Sequence, residues 1–190
     1  MSHSEPLTIA EFVAQRDELP DGGRWLEMEA GRLVTFQPPS VEHGTAVMNL
    51  SKALSEFVHR EPVGYACFEL GLIVARNPDT LKFPAMCFFS GGPLFAESDK
   101  VVSATRPVLV AEVASSNDRR RGMEQRVTGW LDWGVAMVWV LDPLAKAAHV
   151  FEKHHQPLQL AEHQTLLGGQ ILSGFKIKVG ELFTEPGWYR

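Results

Sequence analysis

Residues 107–143, PVLVAEVASSNDRRRGMEQRVTGWLDWGVAMVWVLDP, decide the fold of this chain. The stretch opens with an almost wholly apolar run, passes through a basic turn and a helical segment, and returns to a second apolar run at 136–141. Strands that are apolar at nearly every position are typical of a sheet covered on both faces. The stretch therefore predicts a βαβ-like unit at the centre of the fold.

A single carboxylate, Glu112, interrupts the first apolar run. A charge in a covered strand carries a large desolvation cost unless it is paired or bound to a cation. Glu112 could therefore belong to an ion pair, or could lie near a strand end that reaches water. It could instead be a metal ligand or a catalytic carboxylate, because acids with perturbed pKa values cluster at functional sites.

Length and composition indicate one soluble globular domain spanning residues 1–190. A chain of 190 residues can bury a sizeable core, and 45% hydrophobic with 22% charged residues excludes a disordered protein. No segment has the pattern of a secretory signal, and no apolar stretch approaches the ~18 residues of a membrane span. We therefore expect a cytoplasmic protein with no membrane partner.

The net charge of −5 argues against a generally basic surface for nucleic acid. Any contact with DNA must therefore use a local patch. The only compact basic run, Arg119-Arg120-Arg121, directly precedes the predicted helix of the central unit. These arginines could contact phosphate, or they could form a solvated turn that pairs with nearby acids.

The two cysteines, Cys67 and Cys87, have no metal-site spacing and are too few for a disulfide scaffold. Both lie in predicted strands. We therefore expect buried thiols that could be neighbours.

Outside the central unit, periodicity and turn residues predict an α/β domain with a mixed sheet flanked by helices. The expected elements are helices near 9–15, 44–60 and 121–133, a hairpin at 24–36 that turns at Gly31, strands at 64–75 and 81–89 with a break at Pro84, an antiparallel pair at 146–153 and 158–163, and a third strand at 175–179 that completes the C-terminal sheet edge.

Five short blocks occur in order along the chain: EMEAGRL at 27–33, PPSVEHG at 38–44, NPDTLKFP at 77–84, EVASS at 112–116 and WVLDP at 139–143. In this order and spacing they resemble the Uma2 family of restriction-endonuclease-like proteins, a branch of the PD-(D/E)XK nuclease superfamily. The resemblance extends over about residues 7–183. It implies one restriction-endonuclease-like domain with DNA as a partner, and by analogy a homodimer.

The resemblance also implies a Mg²⁺ or Mn²⁺ site held by an aspartate and a glutamate from adjacent strands, with a lysine that positions the attacking water. Such an ion prefers carboxylate oxygens, and it stabilises charge on the phosphate. The family's glutamate falls on Glu112, which becomes the expected metal ligand. An early family glutamate falls on Glu27, which could support the site or form a surface ion pair. A family histidine falls on His43, which could simply form a local hydrogen bond at a helix start.

Two positions depart from the family pattern. Ala85 stands where the family has its metal-binding aspartate, and Arg126 stands where it has its lysine. Arginine keeps the charge but stays protonated, so it cannot simply replace an amine. Glu69 or Asp79 could supply the missing ligand, although neither lies at the matching position.

The candidate catalytic residues are therefore Glu112, Arg126 and Glu27, with Mg²⁺ or Mn²⁺ as the cofactor if the protein is active. The sequence predicts a metal-dependent endonuclease-like protein whose phosphodiester hydrolysis is weakened or lost through Ala85. The alternative is a non-catalytic module that binds DNA or a partner protein on the same scaffold.

Overall fold

The computed structural model describes residues 6–115 and 117–187, and its described part contains two mixed β-sheets, a small separate hairpin and flanking helices. The helices are α1 (Ile9–Gln15), α2 (Val41–Arg60), α3 (Asn117–Arg121), α4 (Met123–Trp133) and α5 (Val179–Leu182). The strands are β1 (Leu26–Glu29), β2 (Arg32–Thr35), β3 (Tyr65–Phe68), β4 (Gly71–Ala75), β5 (Thr80–Lys82), β6 (Met86–Phe89), β7 (Val102–Ser103), β8 (Leu109–Val113), β9 (Met137–Asp142), β10 (Ala147–Glu152), β11 (Leu158–Leu160), β12 (Thr165–Leu167) and β13 (Lys176–Lys178).

The larger sheet has the strand order β11-β10-β9-β8-β6-β3, and the smaller sheet has the order β2-β1-β5-β4-β7. Each sheet contains antiparallel pairs and one parallel pair, β8 with β9 in the larger and β4 with β7 in the smaller. This arrangement confirms the predicted α/β class and the mixed sheet flanked by helices.

The central βαβ unit forms as predicted. Strands β8 and β9 are parallel neighbours with Glu112 opposite Val140, and α3 and α4 make the crossover between them. Helix α4 ends at Gly134, whose φ of 101° is left-handed and whose N–H reaches the carbonyls of Trp130 and Leu131. Glycine adopts this conformation without a steric penalty, so the chain turns directly into β9.

The segments 64–75 and 81–89 do not form single strands. Each divides between the two sheets, because β3 pairs with β6 in the larger sheet while β4 pairs with β5 in the smaller one. The first segment bends at Glu69, which has a φ of 56°, and the second bends around Pro84, which has no amide donor. These segments therefore make one bent hairpin that spans both sheets and places residues 83–85 at their junction.

The N-terminal elements follow the sequence closely. Helix α1 has the capping box expected of Thr8 and Glu11, and the β1–β2 hairpin turns through Ala30 and Gly31, both with positive φ. Helix α2 runs from Val41, directly after the Pro38-Pro39-Ser40 turn, and Ser40 occupies the N-cap position.

The C-terminal edge differs from the prediction in one element. Strands β10 and β11 pair antiparallel as expected, but β13 pairs with β12 instead of completing the larger sheet. Strand β12 is the element immediately before β13, and neighbouring antiparallel strands need only a short connection. The resulting small hairpin lies over α2, with Leu166 and Ile177 in the same apolar cluster as Phe57.

Helices cover both faces of the larger sheet. Helix α2 packs Leu50, Leu54 and Phe57 on one face, while α4 packs Val127 and Trp130 on the other. Helix α1 covers the smaller sheet through Ile9 and Phe12. The βαβ strands are therefore apolar on both sides because both sides are covered.

The two cysteines are neighbours, as expected. Cys67 in β3 lies opposite Cys87 in β6, and both are buried free thiols. Among the described residues, no helix combines the length and the apolar character that a membrane crossing needs.

We expect Gly129→Ala to stabilise the protein. Gly129 lies inside α4, and an added Cβ would meet no atom within 4 Å. Replacing a helical glycine by alanine should raise the free energy of unfolding by ~0.5–1 kcal/mol and the melting temperature by about 1–4 °C, as thermal denaturation can measure. Gly64→Ala is the contrast, because its Cβ would lie 2.1 Å from the Phe89 carbonyl oxygen, and it should lower the melting temperature. Equal effects of the two variants would contradict this packing.

Candidate functional site

Glu112 lies in the middle of β8 and is fully buried, at 0% exposure. Its Oε1 accepts hydrogen bonds from Arg126 Nε at 2.6 Å and from Trp130 Nε1 at 2.7 Å. Arg126 and Trp130 are four residues apart on α4, so both side chains project from the same face of the helix. The anomalous acid of the sequence is therefore paired with the crossover helix of its own βαβ unit.

Arg126 also binds Glu27 with the end of its guanidinium. Nη1 donates to Glu27 Oε2 and Nη2 to Glu27 Oε1, each at 2.6 Å, in a fork-to-fork geometry. Nη2 also donates to the Phe83 carbonyl at 3.1 Å. Arg126 is 7% exposed and Glu27 5%, so these contacts are shielded from water. We call Glu27, Glu112 and Arg126 the ion triad.

The ion triad joins both sheets to α4. Glu27 comes from β1 in the smaller sheet and Glu112 from β8 in the larger sheet. The Phe83 N–H at the sheet junction donates to Glu27 Oε1 at 2.9 Å, so the bent hairpin is tied to the same carboxylate. Residues 27, 112 and 126 are brought together although Glu27 and Arg126 are 99 positions apart in sequence.

Glu27 and Arg126 each stabilise the charged form of the other. Burial alone would raise the pKa of Glu27, but Arg126 and the Phe83 N–H hold this pKa below its usual range. Burial alone would lower the pKa of Arg126, but Glu112 and Glu27 hold it above its usual value. Two carboxylates and one guanidinium leave one excess negative charge, and Arg119 opposes it by contributing to the lowered pKa of Glu27.

Ala85 lies just before β6, next to Pro84 at the sheet junction. Strands β6 and β8 pair with Met86 opposite Ala111, and Glu112 follows Ala111 in β8. The Ala85 side chain packs against the cluster on the α2 face of the sheet, while Glu112 contacts Arg126 and Trp130 of α4 on the other face. The methyl group of Ala85 has no oxygen to offer a cation.

Neither alternative acid completes the site. Asp79 accepts a hydrogen bond from the Ile9 N–H at 2.8 Å and from Arg76 at 3.4 Å, so it anchors the start of α1. Glu69 is exposed in the bend of the hairpin.

The residues of the site do not fit a resident Mg²⁺ or Mn²⁺ ion. Both Glu27 oxygens and one Glu112 oxygen already accept hydrogen bonds from Arg126, while Glu112 Oε2 is buried without a hydrogen-bond partner in the described structure. Within residues 6–115 and 117–187, no group of three or more potential His, Cys, Asp or Glu ligands converges on one point. One free carboxylate oxygen beside a fixed guanidinium is a poor site for a hard divalent cation.

A cavity of about 460 Å³ opens beside Ala85. We call it the arginine cavity, because Arg16, Arg24 and Arg119 line it together with His43 and Ala85. The sequence had singled out Arg119 within the basic run, but Arg16 and Arg24 had no motif that marked them. Their convergence depends on how the segment after α1 folds back towards α2.

His43 lies in the first turn of α2, and its Nδ1 is 3.0 Å from Ser115 Oγ. This partner is 72 positions away, so the side chain is not bonded only within its own helix start. Burial, with a smaller effect of Arg119, lowers the pKa of His43 to about 4. The imidazole is therefore neutral at pH 7.

The basic run divides between two roles. Arg120 forms a two-pronged ion pair with Asp142 at the end of β9, while the Arg119 guanidinium lies 4.7 Å from the centroid of the Phe36 ring. The expected pairing with nearby acids therefore holds for Arg120, and Arg119 faces the arginine cavity.

Comparisons with known proteins agree on family and fold. A family model described as Uma2, "Putative restriction endonuclease", matches residues 11–180. The crystal structure of a putative nuclease belonging to DUF820 from Anabaena variabilis ATCC 29413 superimposes with a TM-score of 0.75 and 16% sequence identity, covering 94% of this chain and 98% of that chain. Identity at this level indicates a shared fold. A comparison with curated proteins found no match.

We expect Arg126→Met to be strongly destabilising. Removing the guanidinium would leave Glu27 and Glu112 as buried carboxylates without a counter-charge, which should cost ~3–5 kcal/mol in the free energy of unfolding. Urea denaturation measures this loss. Lys146→Met is the control, since Lys146 and its partner Glu162 are both more than half exposed, and its loss should cost only about 1 kcal/mol or less. Equal losses in the two variants would contradict a buried ion triad.

The ion triad also predicts how stability depends on pH. The pKa of Glu27 is lowered in the folded protein from its ordinary value of 4.5, so its stabilisation is present above pH 4.5 and is lost as the pH falls below it. Urea denaturation at pH 7 and at successively lower pH should show native protein and Glu27→Gln converging in stability under acid conditions. Glu29→Gln, an exposed acid in the same strand, should run parallel to the native curve. Parallel curves for Glu27→Gln would contradict the assignment.

Proposed function

The chain belongs to the Uma2 family of restriction-endonuclease-like proteins, and from that premise we propose that it is a DNA-binding nuclease-like protein that has lost metal-dependent phosphodiester hydrolysis. The observation that carries the proposal is the position of Arg126, whose guanidinium lies between Glu27 and Glu112 and engages both. The proposed unit is one restriction-endonuclease-like domain, with a core over about residues 7–183.

Hydrolysis of a phosphodiester in such a fold depends on a divalent ion that activates water and offsets charge on the phosphate. Carboxylate oxygens hold that ion, and here those oxygens serve a guanidinium instead. The guanidinium is planar and permanently charged. It therefore cannot become neutral by releasing a proton, as the amine of a lysine can. Displacing it would expose buried charge, which adds to the cost of metal binding.

Ala85 supports the same conclusion from the neighbouring strand. It stands where the family pattern has an aspartate, and its methyl group offers no oxygen to a cation. Without that carboxylate, a cation would meet a single uncommitted oxygen, Glu112 Oε2. Loss of the acid and gain of the arginine therefore remove both the ligand and the space for the ion.

DNA is the partner that the family favours. The chain is acidic overall, so the surface must supply a local positive patch, and the arginine cavity beside Ala85 is such a patch. The proposal thus separates two properties that active nucleases combine: contact with the nucleic-acid backbone and its hydrolysis.

A plasmid-nicking assay with Mn²⁺ tests the loss of hydrolysis. We expect no nicking by the native protein or by Glu112→Gln, which sets the background. The double variant Ala85→Asp, Arg126→Lys should nick supercoiled plasmid, because it restores the aspartate and the lysine of the family pattern and frees part of the ion triad. A third variant that adds Glu112→Gln to this pair should be inactive again.

The native protein alone decides the proposal if the double variant fails to fold, which circular dichroism would reveal. Mn²⁺-dependent nicking by the native protein that Glu112→Gln abolishes would overturn it. That outcome would mean that Arg126 releases its carboxylates when metal and DNA bind together.

A further inference from the structure

The arginine cavity is built from three separate parts of the chain. Arg16 follows α1, Arg24 precedes β1 and Arg119 belongs to α3, while the first turn of α2 contributes Ser40 and His43. Cationic side chains that converge from distant positions repel one another in the unliganded protein. Their convergence concentrates positive charge around one cavity of about 460 Å³, so the cavity favours a ligand of opposite charge.

Aromatic rings hold two of the arginines in place. The Arg16 guanidinium lies 5.0 Å from the Phe83 ring centroid, and Arg119 lies 4.7 Å from that of Phe36. The ring contact orients a planar guanidinium and leaves its edge for hydrogen bonding. Phe83 is itself fixed by the ion triad through its N–H and carbonyl, so the triad supports the position of Arg16.

The polar inventory of the cavity favours an anion. Three arginines face one carboxylate, the exposed Glu69, and His43 is neutral at pH 7 because its pKa is about 4. Arg16 Nε is buried and has no hydrogen-bond partner in the part of the chain that the structure describes. Because this atom is shielded, a ligand in the cavity would bind the terminal N–H groups of the guanidinium rather than Nε.

Phosphate matches these features better than a carboxylate does. Its oxygens can accept paired N–H groups from more than one guanidinium at once, and the start of the 20-residue helix α2 adds partial positive charge at the same cavity. The cavity is open and larger than a single phosphate, so an attached strand can leave it. Phe83, which lines the same cavity, also contacts the ion triad.

We propose that the arginine cavity binds a phosphate group of a nucleic-acid strand, with Arg16, Arg24 and Arg119 as its ligands and without a divalent ion. The proposal rests on the proposed function in taking nucleic acid as the ligand. Guanidinium groups here supply the positive charge that a metal ion would otherwise bring to the backbone.

Fluorescence anisotropy with a short labelled single-stranded DNA in EDTA tests the site. Native protein should bind, and the double variant Arg16→Gln, Arg24→Gln should bind at least about tenfold more weakly. The slope of log affinity against log salt should also flatten by about 0.7 for each phosphate contact removed. Arg60→Gln is the matched control, because it removes the same charge roughly 25 Å away along α2.

Inorganic phosphate separates the two sources of the ligand. Inorganic phosphate that displaces the labelled DNA from native protein, and does so less effectively from the double variant, would support the site. That result would show that the site takes free phosphate as well as the strand. DNA binding that phosphate does not displace, but that the double variant loses, would support the site and assign it to the strand alone.

The inference is overturned if native protein binds neither probe in EDTA, or if the double variant binds DNA as tightly as Arg60→Gln does. Thermal denaturation of each variant ensures that a loss of binding is not a loss of fold. A native protein that binds neither probe would also overturn the DNA binding of the proposed function, whereas a double variant that binds DNA as tightly as Arg60→Gln overturns the site alone. The loss of hydrolysis is tested separately, by nicking in Mn²⁺.

Discussion

Arg126 stabilises two carboxylates that the fold would otherwise bury unpaired. Glu112 is in the middle of a strand covered on both faces, and Glu27 is in a different sheet, yet a single guanidinium binds both. The desolvation cost of the three charges is offset only while all the contacts persist. The position of α4, the meeting of the two sheets and the path of residues 83–85 therefore depend on one another.

The bent hairpin gives this dependence its geometry. Because β3 and β6 belong to the larger sheet while β4 and β5 belong to the smaller one, the chain itself links the sheets at Phe83. Backbone groups of Phe83 bind Glu27 and Arg126, and its ring supports Arg16. Phe83 thus contacts the buried ion triad and also lines the arginine cavity, so it connects the interior charges to the surface.

Sequence alone could predict the central unit because apolar periodicity and turn residues report local structure. Glu112 could be identified as a residue that needs a partner, and its environment followed from the covered strand. Its partner could not be derived from local pattern, because the pairing of Arg126 with Glu112 depends on how α4 packs on β8. The second pairing of Arg126, with Glu27, joins residues 99 positions apart and depends on tertiary packing as well. The same limit explains why β13 was assigned to the wrong sheet, since strand pattern does not specify which strand is the neighbour.

The bends at Glu69 and Pro84 show a related limit. Proline predicted an interruption of the second segment, but nothing local indicated that the halves on either side would join different sheets. Glu69 adopts a positive φ, which its sequence neighbours do not predict. The arginine cavity could not be predicted for the same reason. Arg16 and Arg24 come together only because the segment after α1 packs near α2.

The ion triad also constrains how this sequence can evolve. Introducing an acid at position 85 by itself would add a carboxylate to the apolar cluster on the α2 face of the sheet. Changing Arg126 to lysine by itself would give up the forked contacts to Glu27. Neither substitution supplies what the other lacks, because lysine carries no more positive charge than arginine. The residues that the family pattern has at positions 85 and 126 therefore conflict with the contacts that hold the two buried glutamates in this chain.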